Sequence, residues 1–475
     1  MFFLDRTDER SGNGPASFEQ KTGTLNQRFT FPNNSSIDES IPMSKNQSKL
    51  RRRDLLKTTG AATAAGLLSA RLSSGQGTPE NSVTDIRPAL TIDPNNLSQE
   101  LLNAIRITPR VNHKPFPAYA ETYLPFAMAQ SNEVTHSGRV WTVWIGGEDG
   151  PIAYMLAAYS DDGGKSWGEP VFVIDPAAYG LPMGTRTGCL WCDPKGRLWL
   201  FFKQSCSHFD GSCSNWYIRC DDPDGETPVW SEPTYVSFGA TITKPIVCKN
   251  GEWLLPVSLW ERWHIGEPFQ YCYHELDAVR GANVFLSDDE GAHWRYCGGH
   301  IFEESCFNEH SVVELNDGRL WMLSRCHKEI AQSFSENGGR AWGPQSTAFP
   351  HANAKCCARR LQSGRILLIK HGKEFDKRTG RWDLTAFVSE DEGKTWKGGL
   401  LLDERRDGTG VSYPDIAQAR DGTVYVHYDR GRTTHAEILF AKFRDEDVLA
   451  EKLVSDGAGL NQVVKDKHGM NRGSA

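Results

Sequence analysis

The sequence contains no run of roughly 18 or more apolar residues, so no membrane-spanning helix is predicted. It also lacks an excess of positive charge, because 53 lysines and arginines are set against 60 aspartates and glutamates, for a net charge of −7. This balance argues against nucleic acid as a partner. Motifs for binding ATP, nicotinamide or flavin are absent as well, and we predict no cofactor.

Cysteine is missing before residue 189 and after residue 357, so all twelve cysteines fall between these positions. Some of them can pair if the protein is exported. The spacing of Cys189 and Cys192 resembles half of a zinc site, but no second pair accompanies it, and we predict no metal. The cysteines close together in sequence are Cys189 and Cys192; Cys206, Cys213 and Cys220; and Cys356 and Cys357.

The first 110 residues are predicted to lie outside the main domain. Residues 1–42 are polar and aperiodic, which indicates a disordered segment, or one that is not translated because Met43 is the start. Residues 43–75 resemble a twin-arginine export signal, in which Arg52 and Arg53 precede an alanine-rich run, with a basic linker as the alternative. We therefore expect export to the periplasm or the exterior, and we predict a linker over residues 76–110.

An eight-residue pattern, Ser-x-Asp-x-Gly-x-x-Trp, recurs through the remainder of the chain, with Asn replacing Asp in one copy. The acidic or amide side chain can accept hydrogen bonds from the backbone of a tight turn, and glycine supplies a backbone angle that other residues resist. We predict that these turns are structural and that each tryptophan packs beneath its turn. The copies are residues 160–167, 287–294, 335–342 and 389–396, with a degraded copy at 221–230.

A second repeat alternates with the first. Six short runs of aromatic and branched residues each follow a turn containing glycine, as expected for buried strands after a hairpin. Six such units predict an all-β, six-bladed β-propeller with four antiparallel strands per blade over residues 111–453. The last blade lacks the eight-residue turn, so we expect a segment within residues 83–125 to supply its missing strand and residues 454–475 to form a flexible tail. The hairpin glycines are Gly138, Gly196, Gly251, Gly318, Gly364 and Gly422.

Both kinds of turn belong on one face of such a ring, so functional residues are expected on the opposite face. The positions just before the first strand and just after the second strand of each blade converge there. These positions are rich in cations, and arginine can bind a carboxylate through two parallel hydrogen bonds. The candidates are Glu148, Asp149, Arg186, Lys244, Glu309, Arg325, Lys355, Tyr413, Asp415 and Arg430.

The eight-residue turns resemble the Asp boxes, or BNR repeats, of the sialidase (neuraminidase) superfamily. The segment from Asn308 to Leu320, followed by Arg325, is similar to the sialidase segment that carries a catalytic glutamate and a carboxylate-binding arginine. Residues 411–415 and 428–430 resemble the last blade of the bacterial predicted-neuraminidase branch, in which a tyrosine is the nucleophile. The resemblance covers about residues 120–450 and implies a six-bladed glycosidase that acts on an acidic oligosaccharide or polysaccharide.

The resemblance implies a retaining mechanism with Tyr413 as nucleophile, Glu309 as its base, and Glu148 or Asp149 as the separate acid. Arg325 would hold the substrate carboxylate. The arginine that sialidases carry before the first hairpin is absent from the matching residues 122–127. Lys355 is the nearest candidate for a third cation, which leaves room for an acidic sugar other than sialic acid.

Fold alone does not choose among functions on this scaffold. The main hypothesis is an exported exo-glycoside hydrolase. A polysaccharide lyase, with Tyr413, His327 or His371 abstracting a proton next to a carboxylate, is one alternative. A glycan-binding propeller without catalysis is the other.

Overall fold

The computed structural model describes residues 93–120, 123–180, 183–205, 213–265 and 273–473. These residues form six antiparallel sheets arranged as the blades of a β-propeller, so the predicted fold class is confirmed. The predicted disordered segment, the twin-arginine signal and the linker up to residue 92 lie outside the described residues. Among the described residues, no helix combines the length and the apolar character needed to cross a bilayer.

The strands follow the chain blade by blade. The first two blades contain β1 (Val111–Asn112), β2 (Met128–Val134), β3 (Val140–Gly146), β4 (Tyr154–Ser160), β5 (Phe172–Ile174), β6 (Gly184–Cys192), β7 (Leu198–Ser205), β8 (Ser214–Cys220) and β9 (Thr234–Phe238). The next two contain β10 (Ile246–Val247), β11 (Trp253–Leu259), β12 (Gly281–Ser287), β13 (Arg295–His300), β14 (Ser305–Glu314), β15 (Leu320–Cys326), β16 (Glu329–Ser335) and β17 (Ser346–Pro350). The last two contain β18 (Cys357–Arg360), β19 (Ile366–His371), β20 (Asp383–Ser389), β21 (Lys397–Glu404), β22 (Val411–Gln418), β23 (Val424–Arg430), β24 (Glu437–Phe443), β25 (Gly459–Asp466) and β26 (Gly469–Met470).

Helices are few and short among the described residues. The α-helices are α1 (Gln99–Ile105) and α2 (Asp445–Ala450), and the 3₁₀ helices are Ala177–Tyr179, Arg262–His264 and His274–Val279. Helix α2 connects β24 to β25, where blades 1, 3, 4 and 5 carry an eight-residue turn. The core therefore consists of buried strand residues packed between neighbouring blades.

The eight-residue turns join the third and fourth strands of their blades, as the first copy illustrates. The Ser160 hydroxyl donates to Asp162 (2.7 Å) and accepts from the Gly164 N–H (2.9 Å). Asp162 accepts from the Ser166 N–H at 2.9 Å, and the Trp167 indole donates to the Gly164 carbonyl at 3.2 Å. Satisfying these turn groups within the motif allows the tryptophan to be buried against the blade.

The closure of the ring differs from the prediction. Residues 111–112 form β1, which pairs with β5 at the outer edge of the first blade. The last blade instead takes its fourth strand from β25, which pairs with β24, so the predicted flexible tail is wrong over residues 459–470. Half of the residues of β25 are polar, and most are only partly buried because the strand lies towards the outside of its blade. This is why its sequence pattern is weak.

The first and sixth blades are joined by side chains along the ring axis. Ser131 of β2 donates to Asp415 of β22 at 2.6 Å, and the Ala129 N–H donates to Asp429 of β23 at 3.1 Å. A backbone bond from Ala127 to the Arg432 carbonyl (3.0 Å) adds to this contact. The ring therefore closes through buried polar contacts between two complete blades.

Candidate active site

A pocket of about 160 Å³ lies at the face opposite the eight-residue turns, where second strands end and first strands begin. All six blades contribute at least one residue to its wall. Four guanidinium groups and two carboxylates meet there, which makes the pocket cationic. It is lined by Met128, Asp149, Arg186, Thr187, Ile242, Trp260, Phe307, Glu309, Arg325, Arg381, Tyr413 and Arg432.

Tyr413, Glu309 and Arg325 form a hydrogen-bonded row in this pocket. The Tyr413 hydroxyl donates to Glu309 Oε1 at 2.6 Å, and Arg325 Nη1 donates to Glu309 Oε2 at 2.8 Å. Glu309 and Arg325 are buried, with side chains that are 4% and 5% exposed. A buried carboxylate bonded on one side to a cation and on the other to a phenol is positioned to accept the phenol proton.

The surroundings shift the pKa values of Glu309 and Tyr413 in opposite directions. Burial disfavours the Glu309 anion, but Arg325, the Tyr413 hydrogen bond and Lys355 outweigh it and lower the pKa of Glu309 below its ordinary value. Burial and the adjacent Glu309 charge raise the pKa of Tyr413, although Arg325 and Arg432 oppose this rise. At neutral pH the pair therefore consists of a carboxylate and a neutral phenol.

Three of the arginines are held in place by their own contacts. Arg325 Nε donates to Asn353 Oδ1 (2.8 Å), and the Asn353 carbonyl accepts from both Arg325 (3.2 Å) and Arg381 (3.1 Å). Arg432 donates to Asp429 and to Ser412, each at 3.2 Å. Because the guanidinium groups are fixed before any ligand arrives, an entering anion meets an ordered set of donors.

The fourth arginine, Arg186, belongs to the second blade and donates a hydrogen bond to the Ser205 hydroxyl at 3.0 Å.

Burial and the neighbouring charge of Arg325 lower the pKa of Arg381 from its ordinary value. Mutual repulsion of this kind is relieved when an anion binds between the cations.

Three of these residues lie in β-bulges of first strands. The ladder shifts register around Arg186 in β6, around Glu309 in β14 and around Tyr413 in β22. Tyr413 has a backbone φ of 57°, a region that tyrosine rarely occupies, and Asn308 beside Glu309 has 50°. Bulges and unusual backbone angles of this type turn side chains towards functional sites.

A model of the BNR repeat-like domain family matches residues 138–426, which is more than half of the chain. The chain belongs to this family. Among curated proteins, no sequence matches it.

Solved structures of sialidases are similar to this BNR repeat-like chain. The leech intramolecular trans-sialidase, complexed with 2,7-anhydro-Neu5Ac, has 15% identity and a TM-score of 0.53 over 75% of this chain and 74% of that one. The intramolecular trans-sialidase of Ruminococcus gnavus has 14% identity and a TM-score of 0.50 over 69% and 96%. The NanB sialidase of Streptococcus pneumoniae has 13% identity and a TM-score of 0.50 over 66% of each chain. At these identities the likeness shows the fold alone, so the chain is a BNR repeat-like protein whose propeller is similar to that of sialidases.

The structure brings five of the predicted site residues of this family member into the pocket, namely Tyr413, Glu309, Arg325, Arg186 and Asp149. Asp149 reaches Arg432 at 3.5 Å and is 44% exposed at the mouth. Glu148 lies beside it, but its carboxylate accepts from the Ile152 N–H of its own loop at 3.4 Å and does not line the pocket.

Lys244 and Asp415 point away from this pocket and line a second cavity of about 500 Å³ at the opposite mouth of the ring. They are ion-paired with each other at 2.8 Å, and Glu133 lies 3.4 Å from the same ammonium. Arg430 pairs with Asp407 and Glu437, each at 3.0 Å, outside the pocket. These side chains stabilise the ring rather than face a ligand in the pocket.

Lys355 is fully buried and lines neither cavity. Its ammonium has no hydrogen-bond partner among the described residues, but its charge acts on both Glu309 and Asp415. It therefore lies between the pocket and the Lys244 ion pair, where it favours ionisation of both carboxylates.

Sequence reasoning missed Arg381 and passed over Arg432 in favour of Arg430. Arg381 precedes the third strand of its blade, and this position also opens on the pocket face although it lies outside the first and second strands. Arg432 lies two residues past β23, and only the register of that strand shows that Arg430 turns outward.

Proposed function

We propose that the chain is a retaining exo-glycoside hydrolase that removes a terminal sugar bearing a carboxylate. The observation that carries the proposal is the Tyr413–Glu309 hydrogen bond of 2.6 Å in a pocket lined by four arginines. Family membership and the sialidase-type fold support glycosidase chemistry, and the arginines support an acidic substrate.

In the proposed first step, the Tyr413 oxygen attacks the anomeric carbon while its proton passes to Glu309. The glycosidic bond breaks, and the leaving oxygen takes a proton from Asp149. A covalent glycosyl-tyrosine results. In the second step Asp149 removes a proton from water, the water attacks the same carbon, and Glu309 returns the proton to the departing Tyr413 oxygen.

A tyrosine nucleophile suits this pocket for an electrostatic reason. A carboxylate nucleophile would repel a substrate carboxylate, whereas the phenol is neutral until it attacks. Arg325, Arg381 and Arg432 surround the Tyr413 and Glu309 pair, so we propose that they bind the substrate carboxylate. We further propose that the protein is exported, on the strength of the twin-arginine pattern within residues 43–75.

The proposal is tested by incubating the purified protein with sialosides, uronides and sulfated glycans and detecting products by mass. We expect release of an acidic monosaccharide whose mass includes one added water. An unsaturated product that absorbs in the near ultraviolet would identify a lyase instead. A folded protein that binds acidic glycans without cleaving any of them would identify a binding module.

The acid role of Asp149 predicts a dependence on the leaving group. We expect Asp149→Asn to lower kcat/KM by about 100-fold or more for an alkyl glycoside, whose leaving group must be protonated. The loss is expected to be small for a 4-nitrophenyl glycoside of the same sugar, because 4-nitrophenolate departs without a proton. Steady-state kinetics on the two substrates measure the difference.

Glu148→Gln is the matched control for Asp149→Asn, since the two carboxylates are adjacent and Glu148 contacts its own loop. We expect this variant to lose little on either substrate. If Glu148→Gln shows the leaving-group pattern and Asp149→Asn does not, the acid is Glu148.

A further inference from the structure

A ladder of stacked rings leads from the pocket to its rim. Phe307 lines the pocket and stacks on His264, with ring centroids 4.2 Å apart and planes at 18°. His264 in turn contacts Trp263, with centroids 3.5 Å apart. Trp263 also faces His327, with centroids 5.9 Å apart and planes at 29°. The ladder therefore connects the pocket wall to the 3₁₀ helix Arg262–His264 that follows β11.

Trp263 is the exposed end of this ladder. Its side chain is 62% exposed, although the ring is held in place by His264 and His327. A large, ordered aromatic surface at the edge of a polar pocket is a feature of binding sites rather than of ordinary surface. Aromatic faces offer an apolar surface against which the C–H face of a sugar ring can pack.

An arginine, Arg378, contacts the backbone of His327. Arg378 donates to the His327 carbonyl at 3.5 Å and to the His351 carbonyl at 3.2 Å. Within the described ranges, no ion pair involves Arg378 or Arg381, whereas four other basic residues of the fifth blade are paired with carboxylates. These pairs are Lys373 with Glu404, Lys377 with Glu374, Arg405 with Asp403, and Arg406 with Asp383.

We propose that Trp263 and Arg378 form a second sugar subsite, which binds the leaving-group sugar and recognises it as an acidic one. This inference rests on the proposed function, since the first sugar occupies the arginine-lined pocket. The glycosidic oxygen then lies near Asp149 at the mouth, and the second ring packs on Trp263. Arg378 binds a carboxylate or sulfate on that ring. The substrate is therefore a glycan with acidic groups on consecutive sugar units.

The test measures binding by calorimetry in the Tyr413→Phe background, so that no turnover is needed. The probes are digalacturonate and α2,8-linked disialic acid, with their monosaccharides, and 3′-sialyllactose, whose second sugar is neutral. For the acidic sugar that the pocket accepts, we expect the disaccharide to bind more tightly than the monosaccharide. Adding Trp263→Ala is expected to weaken disaccharide binding by about 10- to 30-fold, well beyond its effect on the monosaccharide.

Adding Arg378→Ala is expected to weaken binding of the diacidic probe by about tenfold while leaving 3′-sialyllactose nearly unaffected. Trp382→Ala is the matched control, because Trp382 is also exposed (39%) but lies over Arg406, outside the ladder. Equal losses for monosaccharide and disaccharide with Trp263→Ala, or an equal loss with Trp382→Ala, would overturn the subsite. So would a folded protein that binds none of the probes.

Equal losses for the diacidic and the sialyllactose probes with Arg378→Ala would overturn the acidic assignment. The proposed function can fail separately. Binding that follows the expected pattern, in a protein whose wild type cleaves nothing, would support the subsite and remove the hydrolase assignment.

Discussion

Replacing Tyr413 by phenylalanine is expected to lower kcat by about 1,000-fold or more while the protein stays folded. The substitution removes the attacking oxygen and retains the ring. Glu309 keeps its bond to Arg325 at 2.8 Å, so no buried carboxylate is left without a cation. Turnover of the substrate found by the glycan screen, measured with thermal unfolding of the same preparation, separates loss of chemistry from loss of fold.

Tyr425→Phe is the matched control for Tyr413→Phe. Tyr425 lies on β23 of the same blade and is buried in the core towards the opposite face, so its hydroxyl is remote from the pocket. We expect turnover within about twofold of the wild type, as for a conservative change outside the site. A folded Tyr413→Phe protein with near-normal kcat would contradict the nucleophile role, and a mass increase on trapped wild-type Tyr413 would support it.

The number of blades could be predicted because local chemistry repeats in each blade. The Ser160 turn satisfies its polar groups within eight residues, and each hairpin glycine takes a left-handed angle, such as 100° at Gly138 and 84° at Gly196. Features that depend on neighbouring residues alone are visible in sequence. This is why the fold class is confirmed although the sequence identity to solved relatives is low.

The closing strand was missed because its position is set by tertiary pairing. Strand β25 (Gly459–Asp466) buries few side chains deeply, Val464 and Lys465 among them, and follows a helix instead of a tight turn. An outer strand with this pattern resembles a loop in sequence. Residues 111–112 do join a sheet, but they extend the first blade rather than complete the sixth.

The site was predictable only where a residue's place in the blade fixes its direction. Tyr413 and Glu309 lie in the first halves of inner strands, and bulges turn both towards the pocket. Lys244 and Asp415 also belong near inner strands, yet they line the cavity at the other mouth of the ring. Tyr413 and Asp415 are two residues apart, so regular alternation would place them on the same side, and the bulge between Ser412 and Asp415 separates them. The sequence does not reveal a bulge, so it does not reveal which mouth of the ring each side chain faces.

Changing Arg381 to lysine is expected to lower kcat/KM for an acidic substrate by about 30- to 100-fold. Lysine keeps the charge but loses the planar fork that Arg381 presents beside Arg325, where both donate to the Asn353 carbonyl. For a substrate analogue whose carboxylate is replaced by a primary alcohol, the same variant is expected to lower kcat/KM only a few-fold. The ratio of the two losses, from steady-state kinetics, measures carboxylate recognition.

A second substitution at Arg381 tests whether this arginine serves binding or folding stability. Burial and the charge of Arg325 lower the pKa of Arg381, so the folded protein disfavours its charged form. We therefore expect Arg381→Met to leave the unfolding temperature unchanged or raise it, while removing most activity on acidic substrates. Arg365→Lys is the matched control for Arg381→Lys. Arg365 lies on the same blade but pairs with Glu390 and Asp445 on the opposite face. Equal losses on the acidic substrate and its alcohol analogue, or a folding defect that accounts for the lost activity, would show that Arg381 does not bind the carboxylate.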